Sequence, residues 1–426
     1  MNNTNKNIKR KPGLAATIAL TLVASASAAG NDSPRAGQLQ NVSGSAAKLV
    51  HYVVTNDDEG IPFEGEPNTA TFYVAGPGGK LSQKTVVKTG GLGVGNGYFA
   101  APRVGVVHDK AETCVYVSDA GSNDVAGIVL STFKVAGDFQ GSSGDLGSTN
   151  GIGLALNAEY LYAAFTGSNT IATFRQLPGC KLKFVGDVTA IGLSNGPVDG
   201  MAVHGQILVV AYADGSIESF NVSKGAPLSN GDEQLSTGFQ ENQATPAGVD
   251  ISKDGRFAVF GDAVPSTGVS TDVEVSDISS GKLRATVSYS DLFNQFDGVN
   301  SNNVWFSPDG SLLYVALNNS GSVGAAFFDQ ASGKIKVGCS SGSLRGYGST
   351  FEYTTGLATQ EATGTGGIVY TGEWSSATNP PPSAIGIVKV QSNGRRCTLT
   401  EADDSPVSDP QSTTLRSLSA YPPRPF

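Results

Sequence analysis

One short apolar unit recurs along this chain, and its recurrence restricts the fold more than any other feature. The copies are His51-Tyr-Val-Val54, Val115-Tyr-Val-Ser118, Leu161-Tyr-Ala-Ala164, Leu208-Val-Val-Ala211, Phe257-Ala-Val-Phe260, Leu313-Tyr-Val-Ala316 and Ile368-Val-Tyr-Thr371. Their second residues, at 52, 116, 162, 209, 258, 314 and 369, are 64, 46, 47, 49, 56 and 55 residues apart. The fullest copy runs from Phe306 through the turn Ser307-Pro-Asp-Gly310 to Asp329. It reads as strand, turn, strand, loop, strand, turn, strand, because short apolar runs lie between turn residues. Steps of about 40–50 residues with four strands each are the mark of propeller blades. A β-sandwich would not need seven copies of one unit. The fold expected is therefore all-β, a seven-bladed β-propeller.

A second strand precedes the unit in all blades but the first. It lies around Val104–Val107, Ile152–Leu156, Met201–Val203, Val249–Ser252, Val304–Ser307 and Leu357–Thr359. The missing copy is supplied by the C-terminus, where Leu415-Arg-Ser-Leu-Ser-Ala-Tyr421 has the right character. A C-terminal strand added to the first blade closes the ring and removes free sheet edges.

The ends and the charge bound the setting. Lys6, Lys9, Arg10 and Lys11 precede an apolar run from Leu14 to Val23 and the small residues Ala24 to Ala29. That order is an export signal, and the run is short of the roughly 20 residues of a membrane span. The organisation expected is a signal peptide over 1–28, a linker over 29–48 and a single propeller domain over 49–426, secreted or periplasmic. Basic minus acidic residues give 28 − 37, or −9; without the four basic residues before Gly30 the balance is 24 − 37, or −13. Such a surface repels phosphate backbones, which argues against nucleic acid as a partner. The four cysteines suit disulfides in an exported protein. Cys114–Cys180 and Cys339–Cys397 are the favoured pairs, each joining adjacent repeats, although three pairings are open.

The segment Ser-Pro-Asp-Gly-x-x-Leu-Tyr-Val-x-x-Asn at 307–318 resembles the YVTN-type repeat. From about Leu49 onward the chain resembles the lactonase-like seven-bladed propellers, which include 6-phosphogluconolactonase-like and carboxymuconate-cyclase-like proteins. The resemblance implies a central funnel in which Arg, His and Glu side chains surround a carboxylate-bearing lactone. Arg103, after Pro102, and Glu373, in Gly-Glu-Trp, match that pattern in position and are the candidate catalytic residues. No histidine opens an inner strand. His108 and His204 fall at inner hairpin turns, on the opposite face.

Residues that open inner strands and residues that end second strands are expected at one mouth of the channel. This places Asn56, Asp57, Asp119, Asn150, Asp199, Asp262, Asn302 and Asn318 there as candidate ligand-binding groups, with Arg103 as the lone cation. Such oxygens suit sugar hydroxyls or a hard cation such as calcium; they also favour turns for backbone reasons. No other cofactor and no dedicated metal site is indicated. Gly90–Gly97 is glycine-rich but runs into Tyr98-Phe-Ala rather than a helix, so it reads as a loop and not a phosphate cradle.

Three functions remain open from the residues. The first is a non-catalytic propeller, expected as a monomer, that binds a small molecule, a glycan or a cell-envelope protein. The second is a lactonase-like enzyme acting in the funnel. The third is a structural spacer. The missing funnel histidine favours the first over the second.

Overall fold

Val53 and Val54 are adjacent in sequence, fully buried, and belong to different hydrophobic cores. A strand sends successive side chains to opposite faces, so a strand buried on both faces reads as a continuous apolar run. This is why the recurring units show little alternation. Val209 and Val210 divide in the same way between two cores.

The computed structural model describes residues 50–58, 67–94, 101–108, 112–147, 151–263, 273–290, 292–293, 301–363, 366–377 and 380–423. The expected signal peptide, the linker and Asn150 lie outside the described residues. Seven antiparallel sheets form a ring. Their innermost strands are, in order, Ser417–Tyr421, Val104–His108, Ile152–Leu156, Val198–His204, Thr245–Ile251, Ser301–Phe306 and Tyr353–Thr363. Each touches the next, and the last touches the first. Every expected second strand falls within an observed one, and every expected inner strand overlaps one, with Ser252, Ser307, Leu415 and Arg416 just outside. The ring is closed as the repeat implied: Ser417–Tyr421 pairs with His51–Asn56, with Tyr52 opposite Tyr421 and Asn56 opposite Ser417.

Between the blades lie seven hydrophobic cores, one per interface. Val53, Tyr73 and Leu418 of the first blade meet Tyr370 and Ile385 of the seventh, with Leu415 of the segment joining them, so the seam is packed like the other interfaces. Both favoured disulfides are present. Cys114–Cys180 ties the second blade to the third, and Cys339–Cys397 ties the sixth to the seventh. The turn chemistry recurs too. Ser307 Oγ donates to Asp309 (2.6 Å) and accepts Leu312 N–H (3.0 Å), while Gly310 takes φ +73°. Ser252, Asp254 and Gly255 repeat this device in the fifth blade.

One local expectation, the loop at Gly90 and Gly91, is corrected, and two further elements add to the expected strands. Gly90 and Gly91 belong to the outer strand Leu81–Leu92, where Asp138 and Asp119 of the next blade press so closely that a side chain would collide. The C-terminal tail contributes a short strand, Val407–Asp409, to the seventh blade. The outer edge of the fourth blade is broken into Leu228–Ser229 and Gln234–Leu235, followed by a short helix, Thr237–Asn242, capped by Ser236.

Candidate functional site: the central channel

Two arginines open adjacent innermost strands. Arg103 precedes Val104–His108, and Arg416 precedes Ser417–Tyr421. The Ser417 hydroxyl accepts the backbone N–H groups of Arg103 (2.8 Å) and Val104 (3.3 Å), which fixes one strand start against the other. Arg103 is 1 % exposed and its guanidinium is ion-paired with Asp58, itself 2 % exposed. Gly151, at φ +93°, lies against this guanidinium where a Cβ would stand 2.9 Å from Cζ. Burial pushes the Arg103 pKa down to about 9; repulsion from Arg416 adds to this and Asp199 opposes it. Arg103 is therefore not the lone cation of this mouth.

Arg416 is held by aromatic stacking. Its Cζ lies 4.0 Å from the centre of the Trp374 ring, within cation–π range. Trp374 stacks on Tyr353 at 4.5 Å, and its Nε1–H donates to Thr355 Oγ1 at 3.1 Å. Residue 416 could have been found from the sequence, because it occupies in Leu415-Arg416-Ser417 the place that Arg103 occupies in Pro102-Arg103-Val104.

Glu373 lies in different surroundings. It is 1 % exposed, and neither carboxylate oxygen has a hydrogen-bond partner among the described residues. One oxygen stands where a Cβ on Gly386 would be 2.3 Å away. Burial and then Glu401 push its pKa up to about 8, which Arg345 partly offsets. The charges that act on Glu373 are those of Glu401 and Arg345, whereas Arg416 and Asp199 act on Arg103.

The other candidates are buried groups, several of which clamp the blades. The Asn56 amide donates to the carbonyls of Arg103 (3.2 Å) and Ser118 (2.9 Å) and accepts from Asn68 (2.9 Å). Asp57 accepts the hydroxyls of Thr55, Thr69 and Thr71 at 2.5–2.8 Å. Burial holds its carboxyl well above the usual range, helped by Asp409 of the seventh blade. Asp119 receives Asn68 (2.7 Å) and Thr89 (2.9 Å) from the first blade, and burial raises its pKa likewise. Asp262 is fully buried beside Glu274, both packed over Gly238. Asn318 begins a 3-10 turn and is fully buried. Asp199 and Asn302 are 5 % and 3 % exposed. The seven candidates among the described residues are thus buried, and Asn56 and Asp119 bond across the interface between the first and second blades. Among the described residues, three metal-type donor atoms converge only at Glu112, Cys114 and Cys180, where the two sulfurs form a disulfide.

The open space lies deeper. A cavity of about 580 Å³ is walled by the innermost strands, chiefly Val104, Val106, Leu154, Met201, Val249 and Trp305. Its polar side chains include Asp250, Thr359 and His108, whose Nδ1 is 2.7 Å from Thr113 Oγ1 at the hairpin end. Toward the arginine mouth it adjoins a neck of about 30 Å³ that shares Pro102, Val104, Val249, Trp305 and Ser419 and ends on Asn303, Arg416 and Ser417. No motif in the sequence announced this cavity, because each blade contributes only a few residues to it.

No protein-family profile and no curated protein sequence matches the chain. Solved structures do. A protein of unknown function from Desulfotomaculum acetoxidans superposes with a TM-score of 0.56 at 11 % identity, over 87 % of this chain and 99 % of that one. Candidate 6-phosphogluconolactonases from Bacteroides uniformis and Bacteroides fragilis both give 0.49, at 14 % and 12 % identity. They cover 67 % of this chain, and 80 % and 79 % of their own. At 11 % identity the likeness to the Desulfotomaculum acetoxidans protein is one of fold alone.

Proposed function

We propose that this propeller is an exported, non-catalytic binding protein that takes a small molecule in its central channel. The observation that carries the reading is the cavity itself. Its volume of about 580 Å³ falls in the roughly 300–1,000 Å³ range of ligand sites, and an apolar wall with a few placed polar groups is their usual chemistry. The alternative, lactone hydrolysis, needs a base within hydrogen-bond reach of the reacting water. Glu373 answers to the charges of Glu401 and Arg345, and Arg103 is engaged with Asp58, so neither supports that step. Two disulfides suit an oxidising compartment, and no helix among the described residues is long and apolar enough to cross a membrane.

A panel of aldonolactones, phosphorylated lactones and muconolactones, followed by proton release, tests the catalytic half. The expected result is no turnover above buffer from the folded chain. Ala202, on the innermost strand Val198–His204, lines the cavity, and saturable turnover that disappears when Ala202→Phe fills it would overturn the proposal.

A further inference from the structure

The polar groups of the wide cavity are few, and one of them is set within its wall. Thr359 is 5 % exposed and lines the cavity, and its Oγ1 accepts the Nε1–H of Trp305 at 3.2 Å. A threonine hydroxyl carries one donor beside its acceptor pairs, so that bond leaves its O–H to donate. Around it the second to fifth blades supply Val106, Leu154, Met201 and Val249. Among the described residues neither lysine nor arginine lines this cavity. Its single carboxylate, Asp250, is 4 % exposed and accepts the backbone N–H groups of Ile251 (2.9 Å) and Phe306 (2.7 Å).

We infer that the wide cavity takes an uncharged, largely apolar molecule with one hydrogen-bond-accepting oxygen, such as a ketone, ester or ether. That oxygen meets Thr359, and the carbon skeleton lies along Val106, Leu154, Met201 and Trp305. The inference rests on the channel being the ligand site and adds the ligand's chemical class. Burial of the skeleton is favourable whatever the head group, so the skeleton supplies affinity and the head group decides the choice. An anionic head would leave water with no lysine or arginine of the wall to meet it, and Asp250 would repel it. A cationic head would meet a carboxylate whose oxygens already accept two backbone amides. Burying a charge without a partner costs far more than burying a carbonyl that finds one donor.

Trp305 lines the cavity and bonds to Thr359, so its fluorescence reports on a ligand there. The purified chain is titrated at pH 8 with 2-octanone, octanoate and octylamine. 2-Octanone is expected to change the emission saturably and to bind at least about tenfold tighter than either ion. Thr359→Val, which keeps the side chain's shape without the hydroxyl, is expected to weaken 2-octanone about fivefold, as for one neutral hydrogen bond. Thr359→Ser is expected to restore the parent's affinity. Should Thr359→Val fail to fold, the three head groups on the unaltered chain still decide. Octanoate or octylamine binding as tightly as 2-octanone would overturn the ligand class and leave the channel reading standing. Equal affinity of 2-octanone for the parent and a folded Thr359→Val would overturn the placement of its oxygen. No response to any of the three from a folded sample would remove both the class and the channel reading.

Discussion

Glu373 shows how a residue's surroundings set its chemistry. Its carboxyl is buried, lacks a hydrogen-bond partner among the described residues, and has a pKa near 8 against an ordinary value of 4.5. The folded state therefore holds a proton that the unfolded chain releases, so stability from this group is fully present below about pH 4.5 and declines as pH rises to 8. The loss is on the order of a few kcal/mol. Burial also lifts Asp124 and Asp409 to about 6, which acts in the same direction between pH 4 and 6. The chain is thus expected to be more stable near pH 5 than near pH 8, and Glu373→Gln to flatten that slope and raise the melting temperature at pH 8. Denaturation across pH checks both; a variant with the parent's slope would remove Glu373 from this role. Arg103 is the opposite case. Removing it by Arg103→Met takes the arginine counter-charge from the buried Asp58, at an expected cost of about 3–5 kcal/mol in urea unfolding. A loss below 1 kcal/mol would show the pair to be dispensable. Position 103 was legible in the sequence as the residue that opens an inner strand, but its partner was not. Asp58 comes from another blade, and only the closed ring brings the two together.

At the scale of elements, the second and inner strands were legible because both of their faces are buried and an uninterrupted apolar run is hard to mistake. The strand Val407–Asp409 was not, since three residues carry no periodicity and only pairing with Ser383–Ile385 defines them. Gly90 and Gly91 were read as loop for a related reason: the close approach of Asp138 and Asp119 that requires glycine there comes from a neighbouring blade. The C-terminal strand carries the heaviest structural duty. Deleting residues 412–426 strips Leu415, Leu418 and Ala420 from the seam core and exposes the edge of His51–Asn56. The expected outcome is loss of the whole cooperative transition rather than fraying of one blade, visible by calorimetry or hydrogen exchange; exchange confined to the first blade would contradict it. The disulfides span 66 and 58 residues, for which chain entropy gives about 4 kcal/mol each. Reduction is accordingly expected to lower the melting temperature without changing the sheet content.

At the scale of the whole molecule, seven similar blades produce one feature that no blade contains: a channel with an apolar body and an arginine at its neck. The repeat frame gave the ring, its closure and the residues at each strand start. It did not give the cavity, because a frame locates backbone positions while the free space depends on how seven side-chain sets meet at an axis. Nor did it show that Asn56 and Asp119 hold the first and second blades together. The measurement that tests the central claim most directly is binding of a neutral, apolar fluorophore, N-phenyl-1-naphthylamine, to the unaltered chain and to Ala202→Phe, in which a ring occupies the channel wall. The account predicts saturable binding near one molecule per chain in the first, and at least a tenfold loss in the second while it keeps the parent's sheet content and a cooperative transition. Equal binding by both, or none by the folded parent, would contradict it.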